Sequence, residues 1–239
     1  MPHTQTVRSY PPPPGQDIRY ENEIQLLQRL NNAEPLPNNA VVFTGSSIFR
    51  FWSTLIRDMA PLPVVNRSFG GARTWEALHF FNRIVLPCRP GIIAYYCGSN
   101  DIECGENPGD IAARFQAFGE LVQHELPRSR VFFISINLAP QKRAHWDAIQ
   151  TVNRLIEKLC AENHALGYID VNPALLDAHT QPRSELYQED GLHLRPQAYQ
   201  AFTGIIKPVL LQAWHAMAAP GTTAETQKTT AKEAPNKCA

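Results

Sequence analysis

The sequence predicts one α/β domain built on a doubly wound, five-stranded parallel sheet. Three observations carry this reading. Five short runs of continuous apolar, largely β-branched residues recur along the chain, helical spacing separates them, and Gly, Ser or Asn clusters directly after most of the runs. Strands that are apolar on both faces belong to parallel sheets covered by helices on both sides. At 44% hydrophobic residues, the 239-residue chain has enough apolar surface to build a full core and is not disordered throughout.

Taken in order, Ile24, Leu27 and Leu30 place a helix over 18–30. Ala40–Thr44 (AVVFT) is the first strand, followed by a Gly-Ser-Ser turn and a helical stretch over 48–59. Pro63–Phe69 (PVVNRSF) is the second strand and ends at Gly70-Gly71; a helix follows over 75–84. Gly91–Cys97 (GIIAYYC) is the third strand, ending at Gly98, and an amphipathic helix follows over 110–126. Arg130–Asn137 (RVFFISIN) is the fourth strand. The next helix, over 146–164, puts Val152, Leu155, Ile156 and Leu159 on one face. Gly167–Val171 is the fifth strand, and a helix over 196–217 closes the domain, with Pro208 as a candidate kink. Residues 1–15, with four consecutive prolines, read as a flexible arm. Residues 16–217 form the domain, and 218–239, rich in Thr, Ala and Lys, read as a disordered tail.

Composition narrows the function. Lys plus Arg total 22 and Asp plus Glu total 22, so no global positive field draws the chain to nucleic acid or an anionic membrane. No apolar run approaches the roughly 20 residues of a membrane span. The first residues carry no apolar leader segment, so a cytoplasmic protein is expected. The five cysteines form no CxxC pair, which points to reduced thiols and to neither a zinc cage nor a disulfide framework. Composition does not fix the oligomeric state.

In a doubly wound sheet, ligands bind beyond the carboxyl ends of the strands. The residues there are Gly45-Ser46-Ser47, Gly70-Gly71, Gly98-Ser99-Asn100-Asp101 and Asn137. Each has two readings. Serines at a strand-to-helix turn cap the helix or serve as a nucleophile. Two glycines make a tight turn or let a backbone N–H approach an oxyanion. Asn100 stabilises a turn or donates to the same oxyanion. Before the last helix, Asp190 and His193 lie three apart. There the carboxylate can hold one imidazole nitrogen while the other takes a proton from a serine. The first block is not the G-x-S-x-G elbow, because position 49 is Phe49.

In this order and at these spacings, the four blocks resemble the SGNH hydrolases, also called GDSL esterases and lipases. The blocks are Gly45-Ser46-Ser47-Ile48, Gly70-Gly71, Gly98-Ser99-Asn100-Asp101 and Asp190-Gly191-Leu192-His193. The N…GG pattern of the second block is similar to platelet-activating-factor acetylhydrolase-like esterases. Two departures stand out: Ser46 replaces the acid of Gly-Asp-Ser-Leu, and Ala72-Arg73 follow the glycines where relatives often carry Asp or Ser. The resemblance implies a flavodoxin-like three-layer α/β/α sandwich. It implies Ser47 as nucleophile, His193 as general base and Asp190 as its orienting carboxylate. The backbone N–H groups of Ser47 and Gly71 and the Asn100 side chain would form the oxyanion hole. No metal or organic cofactor is implied. The partner is a small-molecule ester, cleaved through an acyl-serine intermediate: short acyl or acetyl esters, with lysophospholipids also in the family's range.

Two other readings stand beside this one. Thr44-Gly45-Ser46-Ser47 could cradle the phosphate of a flavin or another phosphate ligand, or an SGNH scaffold could serve as an inactive interaction module. The first leaves Asn100, Asp190 and His193 without a role. The segment Asn137–Trp146 is a candidate pocket wall, in which Lys142 or Arg143 would either meet an anionic substrate or form a solvated charge pair.

Overall fold

The computed structural model describes residues 8–33, 36–37 and 39–218. The tail expected over 218–239 lies, apart from the backbone of its first residue, outside the described residues. Five strands form one parallel sheet: β1 (Val41–Gly45), β2 (Val64–Ser68), β3 (Ile92–Tyr96), β4 (Arg130–Ile134) and β5 (Leu166–Ile169). Their spatial order is β2-β1-β3-β4-β5, the flavodoxin-like order, in which the winding direction reverses between β1 and β3. The helices are α1 (Glu21–Ala33), α2 (Ser47–Arg50), α3 (Leu55–Met59), α4 (Thr74–Ile84), α5 (Ser99–Glu103), α6 (Pro108–Glu125), α7 (Trp146–Glu162), α8 (Asn172–Leu175) and α9 (Pro196–Ala218).

The period-2 alternation of each strand splits the core into two layers. Val42, Ile93, Tyr95, Val131 and Phe133 face one way and pack with Phe80 and Phe81 of α4, Phe115 and Phe118 of α6, and Val152 and Ile156 of α7. Val41, Phe43, Ile92, Ala94, Tyr96 and Phe132 face the other way, against Phe49, Trp52 and Leu55 and against Phe202, Ile206 and Leu210 of α9. This is the three-layer sandwich, and it explains why the strands read as unbroken apolar runs.

Two helices differ from the sequence reading. The stretch over 48–59 breaks into α2 and α3. Trp52 turns inward at the break to stack on Tyr199, with ring centroids 5.1 Å apart, and its indole N–H donates to Asp58 at 2.9 Å. Helix α1 begins three residues later than its apolar spacing suggests, because only Ile24 enters the core while Ile18 and Leu30 stay exposed. Pro208 stands inside α9 without ending it.

At the carboxyl edge of β1, Gly45 pairs laterally with Ser68 and with Tyr96. Its φ of +131° turns the chain so that the Ser46 N–H still donates to the Tyr96 carbonyl at 2.9 Å. A Cβ at position 45 would overlap that carbonyl. We therefore expect Gly45→Ala to destabilise the fold by more than the roughly 1–3 kcal/mol of a strained backbone alone. Urea denaturation checks this; a midpoint within error of wild type would mean that β3 yields freely at Tyr96.

Candidate active site

Gly45, Ser68 and Tyr96 are neighbours in the sheet, so the turns that follow them emerge side by side. The first turn enters α2, whose opening residue is Ser47. The two adjacent serines separate cleanly. Ser46 is buried, and its side chain makes no capping hydrogen bond to α2, so the capping role it was weighed for is not the one it plays. Ser47 is half-buried, and its Oγ lies 3.0 Å from His193 Nε2.

His193 and Asp190 share one tight turn. Asp190 Oδ2 lies 2.6 Å from His193 Nδ1, while Oδ1 accepts from the backbone N–H groups of Leu192 and His193, each at 2.9 Å. Burial pushes the Asp190 carboxyl up, but the hydrogen bonds from the imidazole and the two backbone N–H groups outweigh it and hold the group at about 2. An ionised Asp190 requires a proton on Nδ1. That leaves the Nε2 lone pair to accept from the Ser47 hydroxyl. Gly191 O accepts from Gln141 N–H at 3.0 Å, and Gln188 N–H donates to His193 O at 2.8 Å, fixing the turn at both ends. From α9, the Tyr199 hydroxyl donates to Ile48 O at 2.9 Å, tying the helix after His193 to the helix that carries Ser47. The Phe51 ring packs edge-on to the imidazole, with centroids 4.9 Å apart.

The second and third turns are joined to each other. Asn100 Nδ2 donates to Ala72 O at 2.9 Å, using one of its two protons. The next residue, Asp101, is fully buried. Its carboxylate accepts from Thr74 N–H at 3.0 and 3.1 Å and from the Thr74 hydroxyl at 2.5 Å. Glu76, also fully buried, accepts from Arg73 N–H at 2.9 Å. Thus Gly71, with φ +71°, sits in a turn whose far side is clamped at Ala72, Arg73 and Thr74. After the glycines, where relatives often carry Asp or Ser, the backbone here is held from outside the turn by Glu76 and Asp101. Among the described residues, the Gly71 N–H donates to no protein acceptor.

Asn137 and the segment after it make internal contacts beside the Asp190–His193 turn, which Gln141 meets at Gly191. Asn137 is buried between two tyrosine hydroxyls: Tyr96 donates to its Oδ1, and its Nδ2 lies 3.4 Å from Tyr187 Oη. Lys142 is buried and paired with Glu103, and Arg143 donates to Gln181 at 2.8 Å. Both cations are engaged within the protein. A cavity of about 1110 Å³ lined by Arg89, Arg128 and Met217 opens at the amino edge of the sheet, away from all four blocks. Among the described residues, no three His, Cys, Asp or Glu side chains gather as a metal cluster, and no helix is long and apolar enough to cross a membrane.

Sequence reading missed Phe51, Thr74 and Glu76, and it named Asp101 without its partner Thr74. Glu76 had a signal, since a Glu three residues past a helix N-cap commonly accepts from the cap's backbone N–H. Phe51 had none, because its contact with His193 is purely tertiary. Burial raises the Asp101 carboxyl to about 6, against the lowering effect of Thr74 and Arg114, while Glu106 adds to the rise. For an acid raised in the folded state, the stability it contributes is full below about 4 and is lost as the pH rises through about 6. Asp101→Asn removes this slope. Urea midpoints should show wild type gaining on the variant as pH falls from about 6 to about 4; a constant difference across that window would contradict it.

The family model described as the GDSL-like Lipase/Acylhydrolase family matches residues 19–201. No curated protein matches the sequence. Among solved structures, a candidate platelet activating factor from Streptococcus pneumonia shares 23% identity at a TM-score of 0.71, over 80% of this chain and 92% of that one. A candidate acylhydrolase from Bacteroides fragilis shares 18% at 0.73, over 82% and 100%. A GDSL-like lipase from Bacteroides thetaiotaomicron shares 21% at 0.68, over 80% and 98%. At these identities the structures establish a common fold, whereas the family match spans most of the chain and takes in all four blocks. The chain belongs to the GDSL-like lipase/acylhydrolase family and is a hydrolase of ester bonds.

Proposed function

We propose that the protein is a serine esterase that cleaves small carboxylic esters, with short acyl or acetyl groups as its preferred range, through an acyl-serine intermediate. The observation that carries this is the continuous hydrogen-bonded line from Ser47 Oγ through the imidazole to Asp190, at 3.0 and 2.6 Å. His193 Nε2 takes the hydroxyl proton as Ser47 Oγ attacks the ester carbonyl. Negative charge moves to the carbonyl oxygen, where the N–H groups of Ser47 and Gly71 and the second Asn100 Nδ2 proton donate to it. Collapse breaks the bond to the alcohol oxygen, which leaves with the proton from His193. Water, deprotonated by the same imidazole, then releases the acid and restores Ser47.

The phosphate-cradle alternative gains nothing from the geometry. The Thr44 hydroxyl donates to Arg67 O, Ser46 is buried, and the Ser47 hydroxyl engages His193. The inactive-module alternative leaves the ionised Asp190 and the aligned imidazole without a purpose.

Two experiments test the reading. Wild type should hydrolyse p-nitrophenyl acetate and react covalently with a fluorophosphonate; Ser47→Ala should lose both, and Ser46→Ala should keep the labelling. Tandem mass spectrometry should place the adduct on Ser47, and an adduct on Ser46 would overturn the assignment. Asn100→Ala should lower kcat by about 10²–10³ with KM little changed, because the charge it meets exists only in the transition state. Normal turnover in a folded Asn100→Ala variant would return Asn100 to turn structure alone.

A further inference from the structure

The described part of the proline-rich segment lies along α4. Arg8 O accepts from Asn82 Nδ2 at 2.8 Å, and Tyr10 O accepts from His79 Nδ1 at 2.7 Å. Arg19 donates to Glu76 at 3.2 Å, and Gln16 Oε1 accepts from Arg73 Nη2 at 2.7 Å. The partner positions, 82, 79, 76 and 73, are each three apart, so they form one rail along the helix and its N-cap. Arg8, Tyr10 and Gln16 meet that rail in order from the far end of α4 to its N-cap, and Arg19 then reaches back to Glu76. Most of it, residues 8–18, precedes the part of the chain that the family match covers.

Where the rail ends, the chain closes over the two glycines. The Tyr20 ring packs on Phe69, with centroids 5.3 Å apart, and its hydroxyl occupies the space that a Cβ at Gly71 would need. One turn further on, Glu23 holds Arg50 at 2.7 Å, and Arg50 Nη1 lies 2.7 Å from where a Cβ at Gly70 would stand. Consecutive glycines have the widest backbone freedom of any dipeptide. The clamps at Ala72, Arg73 and Thr74 fix the exit of the turn; Tyr20 and Arg50 wall its outer side.

We propose that the segment Arg8–Tyr20 is a strap that sets the oxyanion turn, with Tyr20 as its positioning residue. The proposal rests on the reading of Gly71 as an oxyanion donor. Tyr20 acts through Gly71: without it the turn samples conformations that aim the N–H away from the developing charge, and small misplacements of such groups are costly to catalysis.

The test measures two quantities on wild type, Tyr20→Phe, Tyr20→Ala and the remote double variant His79→Ala/Asn82→Ala, which loosens the strap far from the turn. The first is kcat and KM for p-nitrophenyl acetate. The second, which needs no activity, is amide hydrogen exchange of the peptide spanning Phe69–Arg73. Tyr20→Ala should lower kcat about tenfold, less than the about 10²–10³ lost with a whole oxyanion donor, with KM within about twofold. Exchange in the turn should speed up by a similar factor, since local opening sets that rate. Tyr20→Phe keeps the ring on Phe69 and should retain most of both properties. The remote variant should shift both in the direction of Tyr20→Ala. Unchanged exchange in Tyr20→Ala overturns the proposal, as does a loss that appears in KM alone, which would make Tyr20 a substrate contact. If Tyr20→Ala fails to fold, Tyr20→Phe and the remote variant decide, and a remote variant with wild-type exchange and kcat counts against the strap. A wild type with neither turnover nor fluorophosphonate labelling would remove the esterase reading, while the exchange measurement still shows whether the strap holds the turn.

Discussion

Everything at the catalytic edge depends on how closely β1 approaches β3. The parallel register places Gly45 beside Tyr96 with no room for a side chain. That approach fixes where the chain leaves β1, and hence where Ser47 begins α2. The same register sets Ser68 and Tyr96 on either side, so the glycine turn and the Asn100 turn start from fixed neighbours. A parallel sheet delivers all its strand ends to one edge, and the point where the winding reverses leaves a crevice there. Three short turns therefore leave one edge at adjacent positions, and the segment before α9 brings the Asp190–His193 turn to them.

Beneath the edge lies a layer of buried polar groups that hold these turns. Asn137 bridges Tyr96 of β3 to Tyr187, which pairs with Leu194 just after His193. Asp101 and Glu76 are ionisable groups with no exposed surface, and each is placed where a backbone N–H at the start of α4 needs an acceptor. A buried carboxylate is costly unless it is hydrogen-bonded. Here both carboxylates support the exit of the glycine turn, at positions where an apolar residue would leave the N–H groups unpaired.

The strands and the helices that pack on them were legible in the sequence because their apolar periodicity directly reflects burial on two faces. The split between α2 and α3 was not, since it depends on Trp52 finding Tyr199 far along the chain. Of the candidate site, Asp190 and His193 meet as their three-residue spacing suggested, Ser47 joins them as the family resemblance implied, and Asn100 meets the glycine turn at Ala72. What remained hidden were contacts between residues distant in sequence: Phe51 on His193, Asp101 on Thr74, Tyr20 at Gly71. Of the two readings of Lys142 it is the charge pair that appears, with Glu103, but the lysine is buried rather than solvated, which its loop position did not show.

Asp190 and His193 occupy a single turn, whereas Ser47 lies 146 residues away. The carboxylate and the imidazole can therefore associate as soon as their own few residues are present, while their meeting with Ser47 waits for almost the whole domain. Ile48 O must also find Tyr199 on α9, the last helix among the described residues. Chains synthesised from the N-terminus order their early elements first. A growing polypeptide thus carries the Ser47 turn through most of translation without the imidazole it meets in the folded domain, so on the proposed mechanism its reactivity arrives only once α9 has docked.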